Sequence, residues 1–295
     1  MLKEPLAVFD IFSGIGGFSL GLEKAGMQTV AFCEINPFCQ KILKKHWTSV
    51  PVFSDVSALT AEDFATLPKI DVIVGGFPCQ DISCAGKQTG ISGKRSGLWK
   101  EFRRLIDAIK PSYAIIENVA NLRGNGLVTV LQDLWEIGYN AEWHCIPASA
   151  FGAPHRRDRI WIIAYPTCIG KIRLSIGKKE RLSSPRDNCK NATNADCQRL
   201  QGHGRFEEIS TICKQEQIGL YYRTRGALQW GAEPKSIPRL KDDRLNPDWV
   251  EWLMGFPSSW TEEGSRRQRL MALGNAVVPL IPEFLAAAIM NQHSS

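Results

Sequence analysis

The 295-residue chain lacks the long apolar segments that mark membrane and secreted proteins. No run approaches the roughly 20 apolar residues of a membrane-spanning helix, and runs such as residues 160–165 have the length of a strand. The N-terminal residues place Lys3 and Glu4 directly ahead of a strand pattern, without the apolar core and cleavage site of a signal peptide. We therefore expect a protein that stays in the cytoplasm.

The cysteines lack the pattern of a disulfide framework. There are 9 of them, an odd number at scattered positions, and no Cys-x-x-Cys pair occurs. Cys189, Cys197, His203 and Cys213 lie near one another in the sequence, but their spacings are longer and less regular than those of common zinc sites. We expect free thiols and no bound metal, and zinc at these residues is the alternative.

Most of the chain also lacks a net charge. Residues 167–243 hold 15 Lys and Arg against 9 Asp and Glu, which accounts for the whole formal charge of +6. A basic segment on a neutral body favours a polyanionic partner, although a solvated polar surface has the same composition. This polar, weakly periodic segment is predicted to be a small domain, residues 167–243, inserted between residues 1–166 and 244–295 of a larger one.

Strand and helix patterns alternate along the first half of the chain. Strands are predicted over residues 6–12, 29–34, 50–53, 71–74, 113–116, 142–148 and 159–164. Helices are predicted over residues 18–25, 37–46, 99–109, 127–137, 247–254 and 279–290. This alternation is typical of an α/β fold with a doubly wound, mostly parallel sheet. Residues 81–97 lack periodicity and are predicted to form a long functional loop.

Ligands bind beyond the carboxyl ends of the strands in such sheets, and several candidate residues follow predicted strands. A glycine-rich turn at residues 13–17 would let a nucleotide-type cofactor approach the backbone at a helix start. Its spacing is not Gly-x-Gly-x-x-Gly, so a pyrophosphate is not specifically indicated. Glu34 is placed to accept hydrogen bonds from ribose hydroxyls, and Asp55 to meet an exocyclic amine. A surface carboxylate or a helix cap is the alternative for each.

Cys79 is the candidate nucleophile. It follows Gly-Gly-Phe-Pro at residues 75–78, so that Pro78 stiffens the chain directly before it at the end of a predicted strand. A thiol must be partly ionised to attack, and a cleft that faces basic groups would favour the thiolate. The alternative is a buried core cysteine, but the position in a turn favours the nucleophile.

Glu117 and two arginines are expected near Cys79. Glu117 follows the fifth predicted strand, where a carboxyl can act as a general acid or hold a substrate amine. Arg157 and Arg159 are expected to share a face if Arg159 begins the next strand, and their guanidinium groups could hold a carbonyl oxygen or a phosphate. A solvated salt-bridge network is the alternative.

Together and in this order, the motifs resemble those of the cytosine-5 DNA methyltransferases, especially the small bacterial and phage members. The matching motifs are Asp-Ile-Phe-Ser-Gly-Ile-Gly-Gly at residues 10–17, Phe-Pro-Cys-Gln at 77–80, Glu-Asn-Val at 117–119, Arg-x-Arg at 157–159, Leu-Met-Gly-Phe-Pro at 253–257 and Gly-Asn-Ala-Val-Val-Pro at 274–279. His155 stands where the family usually has Gln, and Ala276 where Ser is common. Residues 167–243 correspond to the family's target-recognition domain.

The resemblance implies a class I S-adenosylmethionine-dependent methyltransferase fold and methyl transfer to carbon 5 of a flipped cytosine in a short DNA sequence. It implies catalytic roles for Cys79, Glu117, Arg157 and Arg159. It implies that residues 81–97 close over the site, with DNA contacts from Gln80, Ser83 and Arg95. It places contacts to S-adenosylmethionine at Phe12, Gly14, Ile15, Gly16, Gly17, Glu34, Ile35, Asp55, Val56, Pro78, Leu98, Asn275, Ala276 and Val277.

The implied partner is double-stranded DNA, bound by a monomer of the enzyme. Restriction–modification or phage self-protection is the expected setting, the former with a cognate endonuclease that acts separately. A transfer-RNA cytosine-5 methyltransferase and a catalytically silent DNA-binding protein on the same fold are the alternatives. An oxidoreductase would rest on the glycine-rich turn alone. An adenine methyltransferase is disfavoured because Phe-Pro-Cys-Gln replaces that class's Asn/Asp-Pro-Pro-aromatic motif.

Overall fold

A seven-stranded sheet forms the centre of the computed structural model, which describes residues 4–78, 97–167, 230 and 233–293. Its strands are β1 (Ala7–Ile11), β2 (Gln28–Cys33), β3 (Val52–Phe53), β4 (Val72–Gly76), β5 (Tyr113–Val119), β6 (Tyr139–Pro147) and β7 (Asp158–Pro166). They lie in the order β3-β2-β1-β4-β5-β7-β6. The first five strands in this order, β3, β2, β1, β4 and β5, are parallel to one another, and β7 is antiparallel to both β5 and β6. The predicted mostly parallel sheet is confirmed.

Helices cover both faces of this sheet, as expected for a doubly wound fold. They are α1 (Gly17–Lys24), α2 (Pro37–His46), α3 (Ala61–Ala65), α4 (Leu98–Ile109), α5 (Leu122–Asn125), α6 (Leu127–Glu136), α7 (Pro247–Met254), α8 (Arg266–Asn275) and α9 (Leu280–His293). Alternate residues of β1 point to opposite layers: Val8 packs in the layer with α1 and α9, and Phe9 in the layer with α4 and α6. A short hairpin, β8 (Leu240–Lys241) with β9 (Arg244–Leu245), lies before α7.

Helices α2 and α7 have the bounds that the sequence predicts, because capping residues next to them in the sequence mark where they begin. The side chain of Asn36 accepts hydrogen bonds from the first amides of α2, and Asn246 does the same for α7. Proline follows each cap as the first helical residue, where its missing N–H costs nothing.

Other elements differ from the prediction. β5 continues to Val119, so Glu117 lies within the strand rather than after it, because β7 pairs with this part of β5. Helix α8 was not predicted, although a capping box of Ser265 with Gln268 marks its start. The predicted loop at residues 81–97, apart from Gly97, and the four possible zinc ligands lie outside the described residues.

One segment of the described chain is long and apolar enough, by length and composition alone, to cross a membrane. It runs from residue 266 to residue 291, and 72% of its most apolar window is buried inside the protein. A core helix passes the same test of length and composition, and the segment is divided into α8 and α9. The finding is therefore weak support for a membrane span.

Candidate active site

The glycine-rich turn after β1 is held in an unusual backbone conformation. Phe12, Gly14 and Gly16 have φ angles of 53°, 55° and 81°, in the left-handed region that residues other than glycine rarely adopt. The Ser13 hydroxyl donates a hydrogen bond to the carbonyl oxygen of Asp10 at 2.6 Å, and the Gly16 amide donates to the carbonyl of Ser13 at 2.9 Å. The turn leads into α1, whose first amides face outward from the helix end.

Glu34 closes this turn from the end of β2. Its Oε2 accepts a hydrogen bond from the Gly14 amide at 2.7 Å, and its Oε1 accepts one from the Asn36 amide at 2.8 Å. Each carboxylate oxygen still has a second lone pair for a ligand hydroxyl. Asp55 is exposed, and its Oδ1 accepts from the Ser57 amide at 2.9 Å, so it caps the short 3-10 helix Val56–Ala58.

The residues around the turn fit a bound nucleotide-type cofactor. A Cβ built on Gly14 meets no atom within 4 Å, so the backbone there faces open space. Next to Glu34, the side chain of Ile35 is 74% exposed, which gives an apolar surface beside the polar turn. The motif from the far end of the chain reaches the same place, because a Cβ on Gly17 would lie 2.8 Å from the carbonyl oxygen of Val277.

The remaining predicted cofactor residues differ in how deeply they are buried. Phe12 is half-buried against Phe102 of α4, with ring centroids 6.1 Å apart. Pro78 and Leu98 are half-buried, and Asn275 is exposed. Ile15, Val56 and Ala276 are buried and belong to the hydrophobic core.

Asp10 opens the first motif, but its burial was not predicted from the sequence. It is fully buried at the end of β1, and its Oδ2 accepts a hydrogen bond from the Ser19 hydroxyl of α1 at 2.8 Å. Its Oδ1 has no hydrogen-bond partner among the described residues. Burial raises the pKa of this carboxyl well above its usual range, and the hydrogen bonds from Ser19 offset only part of the rise.

We expect Asp10→Asn to stabilise the protein relative to wild type at pH 8, and the advantage to shrink as the pH falls towards 5. Because the folded-state pKa of Asp10 is raised, folding takes up a proton, and wild-type stability decreases as the pH rises from the unfolded to the folded pKa. Asparagine does not titrate. Urea unfolding of both proteins across this range measures the difference, and a difference independent of pH would contradict the proposed titration.

An ion pair between a buried carboxylate and a half-buried arginine lies where β5 ends and β7 begins. Glu117 is 8% exposed, and its Oε1 lies 2.9 Å from Nε of Arg159. A Cβ on Gly76 of the neighbouring strand would lie 2.8 Å from Oε2 of Glu117, so this glycine makes room for the carboxylate. Burial raises the pKa of Glu117, and Arg159 and Arg157 offset part of that rise. The pair is therefore a carboxyl that can hold a proton beside a fixed positive charge.

Asn118 links this pair to the chain that leads into Cys79. The side chain is 2% exposed, and its Nδ2 donates a hydrogen bond to the carbonyl oxygen of Phe77 at 3.0 Å. The bond holds the Phe77-Pro78 segment against β5. Asn118 lies in the Glu-Asn-Val motif, but its structural role was not predicted from the sequence.

Cys79 itself lies outside the described residues, as do Gln80, Ser83 and Arg95, so their places in the site stay predictions. The cysteines within the described ranges are poor nucleophiles. Burial raises the pKa of Cys33 and of Cys39 to about 12, and it also raises the pKa of Cys145.

Arg157 and Arg159 point to different partners, although the sequence suggested a shared face. β7 begins at Asp158, and Arg157 precedes it with a φ of 35°. Its guanidinium donates hydrogen bonds to the carbonyl oxygens of Gly274 at 3.0 Å and Ala276 at 2.6 Å, at the end of α8. In this structure Arg157 therefore holds the C-terminal motif against the start of β7, and Arg159 faces Glu117.

His155 contacts α7 and Trp230. Its Nε2 lies 2.8 Å from the carbonyl oxygen of Leu253, and its ring meets Trp230 edge to face at 6.0 Å. His155, at a position where the family usually has Gln, therefore connects the segment before β7 to α7.

The sheet order, with helices on both faces, is that of the class I S-adenosylmethionine-dependent methyltransferase fold. The C-5 cytosine-specific DNA methylase family model matches residues 6–201. The chain belongs to this family, as its motifs predicted.

Individual relatives agree with this assignment. The chain is 37% identical to the Type II methyltransferase M2.BsuMI of Bacillus subtilis over 167 residues, which cover 54% of this chain and 42% of that relative. It is 27% identical to M.HhaI of Haemophilus parahaemolyticus over 311 residues, covering 95% and 93% of the two chains. A solved structure from an E. coli prophage, described as a DNA modification methyltransferase, superimposes with a TM-score of 0.65 at 22% identity, covering 98% and 100%.

Proposed function

We propose that the protein transfers a methyl group from S-adenosylmethionine to carbon 5 of a cytosine within a short sequence of double-stranded DNA. The observation that carries this proposal is the ion pair of the buried Glu117 with Arg159, 2.9 Å apart, beside the strand end that leads through Pro78 into Cys79. A carboxyl and a guanidinium at one sheet edge match the polar atoms of a cytosine ring, and Cys79, the next residue after Pro78 in the sequence, would supply the thiol. Membership of the C-5 cytosine-specific DNA methylase family supports the same substrate.

The thiol of Cys79 is the proposed nucleophile. Carbon 5 of cytosine is a poor nucleophile. Addition of the Cys79 thiolate at carbon 6 makes carbon 5 enamine-like, so that carbon 5 can attack the methyl group of the cofactor. Loss of the carbon-5 proton then allows the thiolate to leave. Carbon 6 is shielded inside a stacked duplex, so the cytosine must first flip out of the helix.

Glu117 and Arg159 are proposed to hold the edge of the flipped base. A protonated Glu117 can donate a hydrogen bond to ring atom N3, and its second oxygen can accept one from the exocyclic amine. The raised pKa of Glu117 favours this protonated form. Arg159 would hold the O2 oxygen and stabilise the negative charge that develops on the ring during thiolate addition. Arg157 supports this arrangement from the start of β7.

The proposed cofactor site is the turn at residues 12–17 with Glu34, Ile35 and the C-terminal motif. S-adenosylmethionine supplies an electrophilic methyl group on a positively charged sulfur. Glu34 would bind the ribose hydroxyls, Ile35 would pack against the adenine, and the open backbone at Gly14 would lie against the amino-acid part of the ligand. The other predicted cofactor contacts, including Asp55, Leu98 and Asn275, complete this proposal.

Residues 167–243 are proposed to be the target-recognition domain, because they carry the net positive charge of the chain. At their C-terminal border, a cleft of about 410 Å³ opens between the β8–β9 hairpin and the starts of α7 and α8. Its charged lining residues are Lys241, Asp242, Arg244, Asp248, Arg266 and Arg269. A mostly basic cleft beside this domain suits DNA phosphates. Gln80, Ser83 and Arg95 are the proposed contacts on the catalytic side.

The Type II methyltransferase relatives favour a role in restriction–modification or in self-protection of a phage. The experiment is transfer of labelled methyl from S-adenosylmethionine to unmethylated DNA of mixed sequence, with transfer RNA in parallel, followed by base-resolution mapping of 5-methylcytosine. Label at one short recurring DNA sequence is expected. Label in RNA alone would overturn the DNA substrate, and bound cofactor without label in either would favour a silent DNA-binding protein.

A further inference from the structure

A tryptophan from the C-terminal part of the chain contacts the glycine-rich turn directly. Trp260 is 6% exposed, and its Nε1 donates a buried hydrogen bond to the carbonyl oxygen of Ile15 at 2.9 Å. The two residues are 245 positions apart in the sequence. Trp260 lies outside the motifs that were predicted to form the site.

With this hydrogen bond, one peptide group of the turn is held at both its carbonyl and its amide. The carbonyl of Ile15 and the amide of Gly16 belong to the same planar peptide unit, so orienting one orients the other. Trp260 binds the carbonyl, and the Gly16 amide donates to the carbonyl oxygen of Ser13 at 2.9 Å. The backbone is left-handed on both sides of this unit, at Gly14 and at Gly16, so the turn depends on its surroundings to keep this shape.

Three aromatic side chains, which we call the aromatic support (Trp47, Phe256 and Trp260), lie behind the turn. A Cβ on Gly16 would lie 2.6 Å from the ring of Trp47, and one on Gly17 would lie 3.2 Å from the ring of Phe256. Each of these two rings packs on Trp260 with a centroid separation of 5.7 Å. The glycines therefore let the turn rest directly on the aromatic support.

Trp260 is itself held in place. The ring of His46 stacks on it at 3.6 Å, with an angle of 4° between the planes. The next residue, Thr261, donates hydrogen bonds from its amide and its hydroxyl to Oε1 of Glu251 in α7, at 2.8 and 2.5 Å. Glu251 is fully buried and also accepts a hydrogen bond from Arg269 at 2.9 Å. The indole N–H is therefore presented to the turn by a rigid part of the fold.

We propose that Trp260 is a positioning residue for S-adenosylmethionine, an inference that rests on the proposed function. Its indole N–H keeps the Ile15–Gly16 peptide in the orientation that binds the cofactor. Without that donor, the turn populates other orientations, and the apparent affinity falls with the fraction that remains competent. Trp260 does not touch the reacting atoms, so its effect should be on cofactor binding rather than on the chemical step.

The test is Trp260→Phe, which keeps an aromatic ring under His46 and removes the N–H donor. Loss of a buried hydrogen bond should raise the Kd for S-adenosylmethionine about tenfold, measured by calorimetry without DNA. With DNA, the KM for S-adenosylmethionine should rise by a similar factor, and kcat at saturating cofactor should stay within about twofold of wild type.

Trp249→Phe is the matched control. Trp249 is 8% exposed, and its Nε1 donates to Oε1 of Glu233 at 2.7 Å, an indole hydrogen bond of similar length that does not involve the glycine-rich turn. Both variants should lower the melting temperature, but only Trp260→Phe should change the Kd for the cofactor. A merely structural role for Trp260 predicts equal Kd values for both variants and wild type.

The outcomes separate this inference from the proposed function. Wild-type protein that does not bind S-adenosylmethionine would refute the proposed function itself. Wild-type binding together with an unchanged Kd for Trp260→Phe would overturn the role of Trp260. If the phenylalanine variant does not fold, 3-benzothienylalanine at this position keeps the bicyclic ring without the N–H, and its Kd decides the matter in the same way.

Discussion

Cys79→Ala is expected to abolish methyl transfer while binding of S-adenosylmethionine and DNA remains measurable. Without the thiolate, carbon 5 of cytosine is not activated, and we expect the rate to fall by about 10⁴-fold or more. The Phe77-Pro78 segment before Cys79 is held to β5 by Asn118, so the substitution should not disturb the described fold. The measurement is single-turnover transfer of labelled methyl to the mapped DNA sequence.

Cys145→Ala is the control, because Cys145 is half-buried in β6 and its pKa is raised by burial. It should transfer methyl groups at the wild-type rate. DNA that carries 5-fluorocytosine has no carbon-5 proton to lose, so wild-type protein should remain covalently attached to it and Cys79→Ala should not. Wild-type turnover by Cys79→Ala would refute the assignment of the nucleophile.

Glu117→Gln is expected to lower kcat by about 10² to 10⁴-fold, the usual contribution of a general acid. Glutamine keeps the size of the side chain, but it cannot hold the transferable proton and it loses the ion pair with Arg159. Because burial raises the pKa of Glu117, the protonated form should persist to higher pH than for an ordinary carboxyl. Wild-type kcat should therefore fall as the pH rises through this pKa, and the residual activity of Glu117→Gln should not follow that titration.

The matched control is Glu136→Gln, which breaks an exposed ion pair with Arg103 at 3.0 Å on the surface between α4 and α6. It removes the same charge without touching the candidate site, and exposed pairs contribute little to stability. Its kcat and pH profile should equal those of wild type. If Glu117→Gln retained kcat within about threefold of wild type, Glu117 would not be the acid.

The fold was largely predictable because its signals are local. Asn36 with Pro37 and Asn246 with Pro247 specify the starts of α2 and α7 by bonds within a few residues. The alternation of strands and helices predicted a mostly parallel sheet, which is confirmed. The length of β5 was not predictable in the same way, because pairing with β7 extends the strand past Glu117.

The candidate site was also predictable only where its signals are local in the sequence. The order of motifs predicted the family, and the family model confirms it. The direction of Arg157 was not predictable, since it depends on carbonyl oxygens at the end of α8, 117 and 119 residues away. The roles of Asp10 and Asn118 were also missed, because burial decides them and a motif does not show burial.

By itself, the sequence determined the order of the elements, the family and the residue types that carry the chemistry. These properties depend on periodicity, caps and motifs, which are local in the chain. Only the tertiary structure decided that Arg159 pairs with Glu117, that Arg157 holds the C-terminal motif and that Trp260 supports the glycine-rich turn. Such contacts join residues far apart in the sequence, and their energies arise only when the sheet and helices bury them together.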